Sequence, residues 1–124
     1  MAGKKILIAD DEQDILEILE KKLKQAGYDV SAFLRGKDAL AAAKLQKPDL
    51  IILDIAMPEM DGYDVAVALK KDASVDSIPV IFMTANELEY SGIEERLSKL
   101  GYCDFIAKPC AFEELLAKIK KIIG

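Results

Sequence analysis

The sequence predicts an α/β domain: a doubly wound, five-stranded parallel sheet flanked by five helices. Three observations carry the prediction. Short aliphatic runs alternate strictly with segments of helical apolar spacing, five of each. The runs Leu50 to Leu53 and Val80 to Met83 are apolar without a break, as strands buried on both faces are. No linker, repeat or low-complexity stretch divides the 124 residues, so a single domain over 1–124 is expected.

The first strand is Ile6 to Ala9, bounded by lysines and acids. Asp14 to Ala26 follows as a helix, because Ile15, Leu16, Leu19, Leu23 and Ala26 recur three or four apart. Lysines fill its last turn and Gly27 stops it. Tyr28 to Phe33 alternates weakly and suits an edge strand. Lys37 to Lys47 is Ala-rich and helical, ended by Pro48. Leu50 to Leu53 is the third strand. A loop with Met57-Pro58 and Asp61-Gly62 leads to a helix over Tyr63 to Lys71. Pro79 to Met83 is the fourth strand. Glu87 to Lys99 reads as a helix interrupted by Gly92. Asp104 to Ala107 is a short fifth strand. Phe112 to Ile123 is the last helix, with Phe112, Leu115, Leu116, Ile119 and Ile122 inward and Lys118, Lys120 and Lys121 outward.

Composition removes several functions. Hydrophobic residues at 52% and charged residues at 31% exclude disorder. The net charge of -5 argues against direct nucleic-acid binding, since phosphates repel an acidic surface. There is no His, so neither His-based acid/base chemistry nor His metal ligation is available. Cys103 and Cys110 read as small reduced thiols, with a redox pair as the weaker reading. No apolar run approaches the ~18 residues of a membrane span. The apolar start at Met1 to Ala9 stops at Asp10-Asp11-Glu12, too soon for a signal peptide. A cytoplasmic protein without membrane insertion is expected.

In such sheets the working crevice lies at the carboxyl ends of the strands. Asp10 and Asp11 follow the first strand, Asp54 the third, Thr84 and Ala85 the fourth, Lys108 and Pro109 the fifth. Each has an ordinary explanation alone: a helix cap, a turn acid, a loop hydroxyl, a surface charge. Together they do not. Two carboxylates ~5 Å apart repel by roughly 3 kcal/mol at an effective dielectric of ~20. Hard oxygen ligands suit Mg²⁺. A carboxylate, a hydroxyl and an ammonium beside that ion suit phosphoryl transfer, with a carboxylate as acceptor.

These residues resemble response-regulator receiver domains. Asp10-Asp11 looks like that family's acidic pair. Asp54-Ile-Ala-Met-Pro-Glu-Met-Asp61-Gly62 is similar to its phosphoacceptor motif and following loop. Thr84-Ala85 and Lys108-Pro109 complete the pattern, and the resemblance runs from Lys4 to the last helix. It implies a flavodoxin-like strand order of 2-1-3-4-5. It implies that Asp54 accepts a phosphoryl group from a histidine kinase or histidine phosphotransfer protein. Asp11, Asp54 and the main-chain carbonyl of Ala56 would hold Mg²⁺, with Asp10 acting indirectly. Lys108 would pair with carboxylate or phosphoryl oxygens, and Thr84 would move its hydroxyl onto the phosphoryl group. Phe105 stands where the family has its switching aromatic, often Tyr; the plain alternative is a core aromatic. The Lys108-Pro109 peptide would be cis. Ala56 and Asn86 flank the site at positions that tune phosphoryl lifetime, although Asn86 also reads as a helix cap. A downstream protein would dock on the face made by the helix at Glu87 to Lys99, the fifth strand and the last helix.

Three other readings fit less well. A haloacid-dehalogenase-like phosphatase wants a second acid two residues after the nucleophile, where this chain has Ala56. A flavodoxin wants a hydroxyl- and Gly-rich loop after the first strand, where this chain has Asp-Asp-Glu. A receiver-like scaffold without phosphorylation would not need the full set of acids, Thr and Lys. The expectation is therefore a switch rather than an enzyme. Whether it works alone or within a longer protein is open.

Overall fold

The computed structural model describes residues 3–84, 103–108 and 111–124. Five parallel strands lie in the order β2-β1-β3-β4-β5. They are β1 (Lys5–Ala9), β2 (Asp29–Phe33), β3 (Leu50–Asp54), β4 (Val80–Thr84) and β5 (Cys103–Ala107). Four helices are described: α1 (Gln13–Gln25), α2 (Gly36–Gln46), α3 (Gly62–Lys70) and α4 (Phe112–Ile123). The helix predicted over Glu87 to Lys99 lies outside the described residues, as do Ala85, Asn86, Pro109 and Cys110.

Strand alternation sorts the core into two layers. Leu7, Ala9, Ile51, Leu53 and Phe82 face one side and meet Ala39 and Ala43 of α2 and Val65, Ala66 and Leu69 of α3. Ile6, Ile8, Leu50, Ile52, Ile81 and Met83 face the other and meet Leu16 and Leu23 of α1 and Leu115 and Ile119 of α4. β3 and β4 are buried at every residue, which is why their sequences are continuous apolar runs. Two alanines on α2 let it lie close to the sheet, so that helix reads weakly by apolar spacing.

The helix ends position the rim. α1 closes in a Schellman arrangement: Tyr28 N donates to Leu23 O (3.2 Å) and Gly27 N to Lys24 O (3.0 Å). Gly27 has φ +101°, a conformation that glycine adopts without strain. α2 ends at Lys47 with φ 49°, ahead of Pro48, which disfavours a further helical residue. α3 begins with a capping box: Asp61 Oδ1 accepts from Asp64 N (2.8 Å) and Asp64 Oδ2 from Asp61 N (3.2 Å).

Element boundaries shift by a residue from the sequence expectation. Two of the shifts matter. Asp54 and Thr84 are the last residues of β3 and β4 rather than the first residues beyond them. The sheet ladder itself therefore fixes their backbones: Asp54 registers with Met83 and Thr84 with Ala107.

Candidate functional site

The C-terminal rim of the sheet gathers the predicted residues. β1 delivers Asp10, and Asp10 N donates to Phe33 O (3.1 Å), continuing the ladder one step past the strand. Asp10 is fully buried. Its Oδ1 accepts from Glu12 N (2.9 Å), the residue that caps α1. The cap reading of the acidic pair does not hold: Glu12 occupies the N-cap position and Asp14 is the first-turn acid, while Asp10 shapes the turn into α1. β3 delivers Asp54, 3% exposed, whose Oδ1 accepts from Ala56 N (3.2 Å). β5 delivers Lys108, whose backbone N donates to Thr84 O (2.7 Å) and so ties the ends of β4 and β5 together.

Lys108 is the hub. Its Nζ lies 2.8 Å from Asp10 Oδ2, 2.9 Å from Asp54 Oδ2 and 3.2 Å from Glu12 Oε1. Burial alone would lower the ammonium's pKa; bonds and charge from Asp10 and Asp54 outweigh it and raise the pKa above the ordinary lysine range. Burial pushes the Asp54 carboxyl up to about 6, helped by the charge of Asp10 and opposed by Lys108 and Ala56 N–H.

This shift has a stability consequence with a definite sign. The folded pKa of Asp54 lies above the ordinary carboxylate value of 3.8, so the folded state holds more protons between pH 3.8 and about 6. Stability then falls as pH rises through that window in the absence of metal. The melting-temperature gap between Asp54→Asn and wild type should therefore widen from pH 4 to pH 7 in EDTA. A gap constant across that range would contradict the raised pKa.

Carboxylate oxygens of Asp10, Asp11, Glu12 and Asp54 all lie within 4.8 Å of one another. Asp10 Oδ2 is buried and lies 2.8 Å from the Lys108 ammonium. Of these four acids, Asp10, Glu12 and Asp54 share the Lys108 ammonium, so the cluster carries a surplus of negative charge, and its donor set is all oxygen. A hard divalent cation such as Mg²⁺ fits that set.

Thr84 is buried at the end of β4. Phe105 packs against Phe82, ring centroids 5.7 Å apart, on the α2–α3 side of the sheet. Ala56 is exposed beside Asp54. Lys108 is in place, while its peptide to Pro109 lies outside the described residues. The sequence reading missed one member, Glu12. The signal was present as a third consecutive acid after β1, but nothing local marks it as a partner of a residue 96 positions away. An apolar groove of about 190 Å³ between α1 and α4 borders the site, lined by Ile15, Ile18, Leu19, Met83, Phe112 and the Lys108 stem.

Comparison with known proteins follows the same lines. The family model for the response regulator receiver domain matches residues 6–120. The alkaline phosphatase synthesis transcriptional regulatory protein PhoP of Bacillus subtilis is 37% identical over 124 residues, covering 98% of this chain and 49% of PhoP. The probable transcriptional regulator ycf27 of Porphyridium aerugineum is 39% identical over 125 residues, covering 99% of this chain and 49% of ycf27. The chain thus spans about half the length of these curated relatives. Among solved structures, the chemotaxis protein CheY4 of Vibrio cholerae superposes with a TM-score of 0.91 at 27% identity, covering 98% of this chain and all of CheY4. The receiver domain of the sensor histidine kinase PA1611 from Pseudomonas aeruginosa, solved with a magnesium ion coordinated in its active-site cleft, gives 0.88 at 31% identity over 99% of both chains. Sequence, strand order and rim chemistry agree: the chain belongs to the response regulator receiver domains, the phosphorylation-dependent switches of two-component signalling.

Proposed function

We propose that Asp54 is the phosphoacceptor, taking its phosphoryl group from a phosphohistidine on a histidine kinase or histidine phosphotransfer protein. The observation that carries this is a buried rim carboxylate with an ammonium 2.9 Å away. A pKa of about 6 leaves Asp54 mostly ionised at neutral pH, and burial strips it of solvating water. An Oδ–P bond forms as the P–N bond breaks, and the imidazole, protonated on its other nitrogen, leaves neutral. Lys108 offers charge and an N–H to an oxygen of the incoming group.

Asp11, Asp54 and the Ala56 carbonyl would hold Mg²⁺, with Asp10 acting through a water. When bound, that ion supplies neutralisation of the phosphoryl oxygens. Thr84 then turns its hydroxyl to the phosphoryl group and Phe105 packs inward. Two contacts support this coupling: Lys108 N to Thr84 O, and Phe105 on Phe82, two residues before Thr84 in β4.

The reading makes the chain a single receiver domain that catalyses only its own phosphorylation and dephosphorylation. A kinase partner implies the cytoplasm. With a net charge of -5, this domain is not the part of any protein that would grip nucleic acid. A downstream protein would read the surface of Glu87 to Lys99, β5 and α4. No described helix is long and apolar enough to cross a membrane.

The test is chemical. Acetyl phosphate with Mg²⁺ should add one phosphoryl group by intact mass, EDTA should prevent it, and neutral hydroxylamine should remove it as it removes acyl phosphates. Peptide mapping should find the label on the segment carrying Asp54. An unlabelled chain, or a label elsewhere, defeats the proposal.

A further inference from the structure

Glu12 has no role in the reading above, yet it shares the ammonium on which that reading depends. A lysine ammonium has three N–H donors. Here three carboxylates surround it: Asp10 at 2.8 Å, Asp54 at 2.9 Å and Glu12 at 3.2 Å. The first two side chains are 0% and 4% exposed, whereas that of Glu12 is 59% exposed. Glu12 therefore occupies the solvent side of Lys108, the side from which a phosphodonor arrives.

We propose that Glu12 determines donor specificity, by holding the outward N–H of Lys108 and presenting a negative charge to small dianionic phosphodonors. The inference rests on Asp54 being the phosphoacceptor. A donor needs one phosphoryl oxygen on Lys108. To reach it, the donor must displace the Glu12 carboxylate and approach a like charge at close range. A protein donor can bring its own cationic side chain to Glu12. Acetyl phosphate, a dianion at neutral pH, cannot. Phosphoramidate, a monoanion there, meets less repulsion. In either case the Asp54 oxygen bonds to phosphorus as the donor's P–O or P–N bond breaks; acetate or ammonia leaves with the electron pair.

The experiment compares wild type, Glu12→Gln and Glu12→Asp. Initial labelling rates are measured with acetyl phosphate and with phosphoramidate, at Mg²⁺ saturating for each variant as determined by titration calorimetry. Glu12→Gln should label about three- to tenfold faster with acetyl phosphate, and gain less than about half as much with phosphoramidate. The gain should shrink as salt is raised, because the repulsion is screened. Glu12→Asp keeps the charge but, one methylene shorter, releases the N–H, so its rate with acetyl phosphate should fall between wild type and Glu12→Gln. If Glu12→Gln is no faster than wild type with acetyl phosphate, or gains equally with both donors, Glu12 is a surface acid and the proposal is overturned. If wild type takes no label on Asp54 from either donor, the acceptor assignment fails instead.

Discussion

Asp54→Asn should take no phosphoryl group and yet melt higher than wild type in EDTA. The same burial that readies the carboxylate for attack makes it costly to keep charged, as its pKa of about 6 reports. Asn removes the charge at nearly constant volume. Its carbonyl oxygen still accepts from Lys108, and only the longer 3.2 Å bond from Ala56 N is given up. Lys108 also keeps Asp10 and Glu12. Discounting for solvent at the open rim, the relief is about 1 kcal/mol, or roughly 3–5 °C for a domain of this size. Mg²⁺ should raise the wild-type melting temperature with concentration, because it binds the folded site and not the unfolded chain. It should do much less for Asp54→Asn. Scanning calorimetry at low, fixed ionic strength checks both. A variant that melts below wild type in EDTA would mean that Asp54 is stabilising as an ion, against the charge argument.

Gly62→Ala should lose roughly 2–3 kcal/mol of stability, or about 8–12 °C in melting temperature, even though alanine favours a helix over glycine. A Cβ on Gly62 would lie 2.5 Å from the carbonyl oxygen of Asp54 and 3.1 Å from Ile55 Cα. Both are backbone atoms at the end of a buried strand, so neither can swing aside. Gly62 N also donates to Ile55 O (3.0 Å), which holds the start of α3 against the end of β3. The added methyl must push on the peptide of Asp54 itself. Labelling at Asp54 should slow along with the loss of stability. A melting temperature within about 2 °C of wild type would show that the two elements can separate without cost.

Much of this was legible in the sequence. The strands of β3 and β4 announce themselves because burial on both faces leaves no polar position to blur the run. Asp10, Asp54, Thr84 and Lys108 could be placed at one rim because strand order follows from alternation and resemblance together. What escaped depends on geometry across the chain. The contact of Glu12 with Lys108 is set by how α1 leaves β1, and no local spacing encodes it. Asp61 read as a turn residue before Gly62; its partner in the capping box is Asp64, where that motif usually carries Glu or Gln. The one-residue extensions of β3 and β4 through Asp54 and Thr84 come from ladder bonds between strands, Ile55 N to Met83 O and Lys108 N to Thr84 O, which a single strand's sequence does not reveal.

β3 is covered on both faces and paired on both edges, by β1 and β4. An amide in such a strand exchanges with solvent only when the sheet itself opens, so the segment ending at Asp54 should be among the slowest to exchange of the described residues. As the proposed phosphoacceptor, Asp54 could not retreat from the charge it would receive. On the proposed function the displacement would fall on what surrounds it: the Thr84 side chain and the Lys108 ammonium. A fixed strand would in that way turn one phosphoryl group's charge into a movement of the rim.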